Sequence, residues 1–462
     1  MNTTTRRPTI QTTDNTLCQE YSDFAPDSPE MTLLRYLSNV TFPELSRHHG
    51  VIVFPQGSMA ETKEDGELLH LNTNGTFSTT NLMGFIGKGE TTLSITSRFA
   101  EKGNDFFLHY MLGKVMSLRL FNLDHPYDYD SSLNFLIYLF PYFLRKAVAQ
   151  GLFKTYVNVS HNGPDIKGPL DLKRHLRQNI PFRGNIAYSS RQRMTDNCMT
   201  QLIRHTIEAI RTIPYGRPIL SNEPETEKAV RLIISATPSY SREDREKTIK
   251  QNLKPARHPY FTAYSPLQKL CLMILHNKKM HYGNGKTYTH GILFDGAWLW
   301  EEYLAKVMAS NLEFASYDLR HPCNRRHSGA IYLSDKFMNH DNGNFSTHGC
   351  FPRYPDFHTS TTVLDAKYKP LDNKSKDIRD DCHQLITYMY VMARKRGILL
   401  FPHKNENLTH HHEYLLNGHG GSMHLIGMSI PQGCSTFKQF AAEMEKSEKA
   451  LISTLLSLER SE

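Results

Sequence analysis

The sequence predicts an α/β protein of more than one domain: a β-rich and helical N-terminal module, then a C-terminal catalytic core. Three observations predict it. Between Gly50 and Arg98 short apolar runs alternate with turn residues. From Asp105 to about Gly151, and again from Thr195, apolar residues recur at helical spacing. Near residue 356 two acid-bearing strands precede a further helix. At 462 residues the chain is too long for one ordinary core.

Taken in order, residues 1–28 are polar, lack an apolar signal core and read as a flexible leader. A helix is expected from near Ser28, with Met31, Leu34, Tyr36 and Leu37 on one side. Val51–Phe54 reads as a strand. Asn74-Gly75 marks a hairpin, because Asn-Gly readily takes positive φ, and Leu93–Thr96 alternates like a half-buried strand. Phe106, Phe107, Tyr110, Met111 and Val115 set a helix. The apolar run Leu133–Leu144 is too short to span a bilayer. Residues 153–190 read as strand and loop, broken by Gly163-Pro164 and Gly168-Pro169. From Thr195 a helix is expected, striped by Met199, Leu202, Ile203, Ile207 and Ile210 and ended by Pro214. Residues 217–259 are charged and Pro-punctuated, with an exposed helical turn from Ser241. The expected division is an N-terminal module over 1–190, a helical connection over 191–285 and the catalytic domain over 286–462, its two halves separable.

Composition narrows the classes. Lys+Arg 54 against Asp+Glu 46 leaves +8, which permits a polyanionic partner without requiring one. Seven scattered cysteines offer no C-x-x-C or zinc-knuckle spacing; they fit free thiols and a cytoplasmic setting. No G-xxxx-GK-[ST] occurs, so the chain does not read as a nucleotide hydrolase. His410–His412, with His403, His419 and His424 nearby, reads as an exposed loop rather than a metal site, because adjacent histidines diverge on any regular element. Lys286, Arg320, Arg325 and Arg326 suit either phosphate contacts or a solvated basic loop. Trp298, Trp300 and the run Phe135–Phe143 read as packing residues.

Chemistry concentrates after Gly291. Ile292–Met308 reads as an amphipathic helix bearing Asp295, Glu301 and Glu302. Arg353–Lys369 reads as a hairpin with Asp356 ending one strand and Asp365 inside the next. Asp365 and Lys367 are two apart on a strand, so their side chains leave the same face. In the helix expected from Cys382, Gln384 and Tyr388 are four apart and share a face. Phosphodiester cleavage needs a divalent metal, an activated water and compensation of growing negative charge. Hard carboxylate oxygens suit Mg²⁺, and a neighbouring lysine can orient or deprotonate the water.

This arrangement resembles the PD-(D/E)xK nuclease motif, with Pro355-Asp356 as its first part and Asp365-Ala366-Lys367 as its second. Gln384 to Tyr388 resembles the Q-xxx-Y element of RecB-like members. Leu293-Phe-Asp, Trp300-Glu-Glu-Tyr-Leu, Leu364-Asp-Ala-Lys-Tyr-Lys and His383-Gln-Leu-Ile-Thr-Tyr together look like McrC, the nuclease subunit of McrBC-type modification-dependent restriction systems. Gly84-Phe-Ile-Gly with Leu93-Ser-Ile-Thr-Ser-Arg-Phe, and Gly168-Pro-Leu-Asp-Leu, resemble its earlier regions less specifically. The resemblance extends over 290–392 and, more loosely, 80–215. It implies a restriction-endonuclease-like core and a Mg²⁺-dependent DNA endonuclease acting on double-stranded DNA. The implied partner is an McrB-like AAA+ GTPase ring, which binds the GTP, recognises the target and is stimulated by the docked N-terminal module. No membrane is implied. Asp356, Asp365 and Glu301 would serve the metal, Lys367 the attacking water, and Gln384 and Tyr388 the DNA strand or the bracing of the site. Glu301 matches the family's helix acid best, with Asp295 and Glu302 as alternatives. Two other readings use the same residues: a stand-alone RecB-like exonuclease, and a non-cutting activator of the GTPase that keeps the nuclease fold as scaffold.

Overall fold

The computed structural model describes residues 9–460 apart from 22, 39, 42–43, 46–49, 56–67, 90, 102–103, 117–129, 214–215, 257, 281–288, 323–328, 340–343, 347–348, 370, 372–377, 405–408 and 419. Pro214, Lys286, Arg325, Arg326 and His419 therefore lie outside the described residues. The chain forms two compact units, one made of Met1–Ser131 with Lys286–Glu462 and the other of Ser132–Gly285. Both ends of the sequence thus build one unit, where the sequence suggested separable halves. The reason is a shared sheet.

That sheet runs Thr9–Thr13, Thr91–Thr96, Leu82–Lys88, Thr289–Asp295, Val51–Phe54. Thr289–Asp295 pairs antiparallel with Leu82–Lys88 and parallel with Val51–Phe54, so a strand of the C-terminal half sits between two N-terminal ones. Within the stretch read as a flexible leader, Thr9–Thr13 is a strand that pairs parallel with Thr91–Thr96. Ile10, Leu33, Leu34, Leu37, Val51, Ile86, Leu93 and Leu293 share one core. Leu33, Leu34 and Leu37 come from the helix Pro29–Ser38. The Asn74-Gly75 turn joins strands Leu69–Leu71 and Thr76–Thr79, with Gly75 at φ +79°.

A second sheet in this unit has the order Phe357–His358, Thr362–Ala366, Arg396–His403, Ser422–Ser429, Thr409–Leu415. Its three central strands are parallel. Val363, Leu399, Phe401 and Leu425 pack with Leu385, Tyr388 and Met389 of the helix Ile378–Val391. Near-continuous apolar strands are expected of a parallel sheet covered by helices. The long helix Phe437–Arg460, for which the sequence offered no reading, ties the unit together. Its buried Glu448 accepts hydrogen bonds from Tyr110 (2.9 Å), Tyr303 (2.8 Å) and Lys114 (3.0 Å).

Two further elements differ from the sequence reading. Ile292–Asp295 completes a strand, and the helix begins only at Gly296, because Asp295 caps it. His410–His412 lies on the edge strand Thr409–Leu415 rather than in a loop, where His411 Nε2 sits 3.0 Å from His424 Nδ1.

The unit Ser132–Gly285 contains most of the helix Asp130–Ala149, which continues through Pro141 and buries Leu136–Phe140. Strands Thr155–Gly163 and Ile186–Met194 form an antiparallel ribbon, and the short helix Leu172–Gln178 lies within the stretch read as strand and loop. The expected helix spans Cys198–Arg211, with Asn197 accepting hydrogen bonds from the backbone N–H groups of Met199 and Thr200. The charged segment after it is largely helical, at Pro224–Ala236, Arg245–Gln251 and onward to Tyr264–Met280. Among the described residues no helix is long and apolar enough to cross a membrane.

One buried group makes stability pH-dependent. His109 lies in the core with Nδ1 2.6 Å from the Asp105 carbonyl oxygen, and burial lowers its pKa from 6.5 to about 4. The unfolded chain therefore takes up this proton first, and stability falls as pH drops from 6.5 toward 4, by about 1.4 kcal/mol per pH unit. In denaturant unfolding from pH 7 to pH 4.5, His109→Asn is expected to lose less stability than the parent chain.

Candidate active site

The site is assembled on the edge of the second sheet. Phe357 and His358 pair with Leu364 and Val363, which brings Asp356 alongside Ala366. Asp356 Oδ2 accepts a hydrogen bond from the Ala366 N–H at 2.7 Å, closing the hairpin. Asp365 is buried on the strand face turned toward the helix Ile378–Val391, and Lys367 emerges on that side. Lys367 Nζ sits 2.6 Å from Asp365 Oδ2 and donates to Gln384 Oε1 at 2.8 Å. Gln384 Nε2 donates to the Tyr388 hydroxyl at 2.6 Å, which donates to the Tyr354 carbonyl at 3.1 Å. The motif residues therefore form one connected network, from the strand to the helix and back to the segment before Asp356. Tyr388 is 1% exposed, and its hydroxyl is engaged on both sides within this network.

The three acids weighed on the preceding helix have different placements. Asp295 is its N-cap, accepting from the backbone N–H groups of Ala297 (2.9 Å) and Trp298 (3.3 Å). Glu301 is the acid whose charge bears on Asp356, and it lies 3.7 Å from His321 Nδ1. Glu302 is the next residue, turned about 100° around the helix. Trp300 is fully buried, with its indole N–H toward the Leu400 carbonyl at 3.4 Å. Trp298 stacks on Phe54. Both tryptophans pack, as expected.

Burial and mutual repulsion perturb the acids of this site. Burial pushes the Asp356 carboxyl well above the usual range, and the charges of Asp365 and Glu301 push it further. Asp365 is also raised, by burial first, against the pull of Lys367. Lys367 is desolvated too, yet its carboxylate neighbours outweigh that and raise its pKa, so it stays protonated. Among the described residues no three His, Cys, Asp or Glu side chains are gathered to hold a metal ion. Asp356 and Asp365 nevertheless suit Mg²⁺, which takes one or two carboxylates and completes its octahedron with water and substrate phosphate. Two repelling, desolvated carboxylates are the donor set that a divalent cation relieves.

Sequence reasoning missed two residues here. His321 Nδ1 is 2.9 Å from the Asp356 carbonyl oxygen, and its ring stacks on Phe357 at 4.7 Å. Asp381, in the first turn of the helix Ile378–Val391, is buried beside Lys367 and Lys369. Its signal was its place three residues before Gln384 and seven before Tyr388, on the same helix face. Arg320, considered for phosphate contact, forms an exposed ion pair with Asp318 at 2.6 Å.

An α/β unit with paired carboxylates and a lysine on one strand face has the side chains that phosphodiester hydrolysis requires. The chain belongs to the family of McrBC 5-methylcytosine restriction system components, whose family model matches residues 77–402. No curated protein matches it. Similar solved structures include a chain of the refined half-complex from a tetradecameric assembly of Thermococcus gammatolerans McrB AAA+ hexamers with bound McrC. That match has 15% identity and a TM-score of 0.46, covering 96% of this chain and 100% of the other. A chain of the cryo-EM structure of the Thermococcus gammatolerans McrBC complex matches at 15% identity and a TM-score of 0.32, covering 66% and 88%.

The different placements of the helix acids are measurable. Asp295→Ala removes an N-cap and is expected to lower stability by about 1 kcal/mol. Glu301→Gln removes a charge that opposes Asp356 and is expected to leave stability unchanged or raise it. Urea unfolding of the two variants checks the assignment, and equal losses would contradict it.

Proposed function

We propose that this chain is the DNA-cutting subunit of an McrBC-type restriction complex, a Mg²⁺-dependent endodeoxyribonuclease. The observation that carries the reading is the convergence of Asp356, Asp365 and Lys367 on one hairpin, braced through Gln384 and Tyr388. Membership in a restriction-system family supports it. The chain contains no P-loop, so nucleotide hydrolysis belongs to a partner, which we take to be an McrB-like AAA+ GTPase ring. On this reading the ring supplies target recognition, because phosphate contacts alone carry no sequence information. The N-terminal residues would dock to it and stimulate GTP turnover.

Asp356 and Asp365 would hold the metal, with Glu301 beside them. When bound, Mg²⁺ would supply Lewis acidity at the scissile phosphate and lower the pKa of a bound water. Lys367, tied to Asp365 and Gln384, presents a fixed ammonium. It would orient the attacking water and offset charge on the phosphate. The hydrogen bond from Tyr388 to the Tyr354 carbonyl sets the backbone two residues before Asp356.

Plasmid cleavage by the full chain, with Mg²⁺ and with or without its GTPase and GTP, tests the proposal. Asp356→Ala, Asp365→Ala and Lys367→Ala are each expected to lower the rate roughly a thousandfold while leaving stimulation of GTP turnover intact. Cleavage by Asp365→Ala within about tenfold of the parent would sink the site assignment. GTPase stimulation without any cleavage by the parent chain would favour a non-cutting activator. Cleavage indifferent to any GTPase would favour a stand-alone nuclease.

A further inference from the structure

The helix Ile378–Val391 opens with two adjacent aspartates of opposite fate: Asp380 is exposed, and Asp381 is 8% exposed. Asp381 divides its two oxygens between two lysines. Oδ2 is 2.8 Å from Lys369 Nζ, and Oδ1 is 3.7 Å from Lys367 Nζ. Lys367 thus faces three acceptors, Asp365 and Gln384 within hydrogen-bond distance and Asp381 as a longer ion pair. Asp381, Gln384 and Tyr388 occupy positions i, i+3 and i+7 of the helix, so one face carries all three toward the strand end. The Q-xxx-Y element is therefore the distal part of a longer device, D-xx-Q-xxx-Y, whose first member acts on the lysine.

We propose that Asp381 is a positioning residue for DNA cleavage: from the helix side, at 3.7 Å, it holds the Lys367 ammonium that Asp365 and Gln384 contact directly, while Lys369 neutralises the rest of its charge. The physical need is plain. Asp365 already contacts the ammonium at 2.6 Å, so without Asp381 the lysine would keep one carboxylate, on its own strand, and lose the charge that holds it from the helix. With Asp381, the ammonium is fixed between strand and helix, and its direction is set by the frame rather than by the substrate. A buried carboxylate kept only for stability would need one lysine, and Lys369 alone would serve. Outer-layer groups of this kind typically change metal affinity or activity by roughly 10- to 100-fold when removed. This inference rests on the proposed nuclease reading.

The test compares Lys367→Ala, Asp381→Asn, Lys369→Met and the Asp381→Asn/Lys369→Met pair in the full chain. Single-turnover plasmid cleavage is measured across a Mg²⁺ titration, alongside DNA affinity and thermal unfolding. Asp381→Asn is expected to cut roughly 10- to 100-fold more slowly and to need more Mg²⁺ for half-maximal rate, with DNA affinity unchanged. Lys369→Met alone is expected to cost much less. The double variant leaves no unpaired buried charge, so it folds even if Asp381→Asn does not, and it is expected to remain as slow as Asp381→Asn. Recovery of the double variant to within about threefold of the parent, with the parent's Mg²⁺ requirement, would show Asp381 to be merely the counter-ion of Lys369 and overturn the proposal. If Lys367→Ala itself cuts normally, the nuclease reading fails and this inference goes with it. A dead Lys367→Ala beside a fully active double variant overturns the inference alone.

Discussion

The pairing of Thr289–Asp295 between Leu82–Lys88 and Val51–Phe54 is the constraint from which the larger unit is built. It brings a strand of the C-terminal half into a sheet made otherwise by the first hundred residues. Backbones approach closely there: a Cβ on Gly291 would stand 2.5 Å from the Phe85 carbonyl oxygen, and Gly84 has φ +125°. The strand then ends in Asp295, which starts the helix carrying Glu301. Sheet register therefore sets where that helix begins and which of its residues reaches the hairpin.

Other N-terminal residues hold the end of the strand Thr362–Ala366 from the other side. Arg98 donates two guanidinium N–H groups to Oδ2 of buried Asp14, at 2.6 and 3.0 Å, and its guanidinium lies 4.9 Å from the Tyr368 ring. Tyr368 follows Lys367 directly and fills the space that a side chain at Gly296 would need, 2.7 Å from an ideal Cβ. At the far end, Glu459 of the last helix accepts hydrogen bonds from Thr359 and Thr361, in the turn of the hairpin that carries Asp356 and Asp365. The hairpin is held at its turn, beside its lysine and through Tyr388 before Asp356. A site of this kind needs such bracing, because small displacements of the first layer of side chains are expensive in rate.

Charge along the site alternates: Lys369, Asp381, Lys367, Asp365, then Asp356 and Glu301. The lysine end is held in ion pairs. At the other end burial first, then the charges of Asp365 and Glu301, raise the affinity of the Asp356 carboxyl for a proton.

The sequence by itself determined the local chemistry: Asp365 and Lys367 on one strand face, Gln384 and Tyr388 on one helix face, Asn74-Gly75 as a turn, and the resemblance of their order to a nuclease motif. These rest on periods of two and 3.6 and on single-residue turn preferences, which act over a few residues. Only the tertiary structure decided which helix acid stands by Asp356, since Asp295, Glu301 and Glu302 are equivalent as composition and differ in what lies opposite. It also revealed Asp381, whose significance depends on two lysines more than ten residues away, and it joined Met1–Ser131 and Lys286–Glu462 in one unit through a strand whose last four residues read as helix. Pairings across some two hundred residues leave no periodic trace in either partner strand. They are set by which apolar faces can be buried together, and that is settled only when the whole chain is packed.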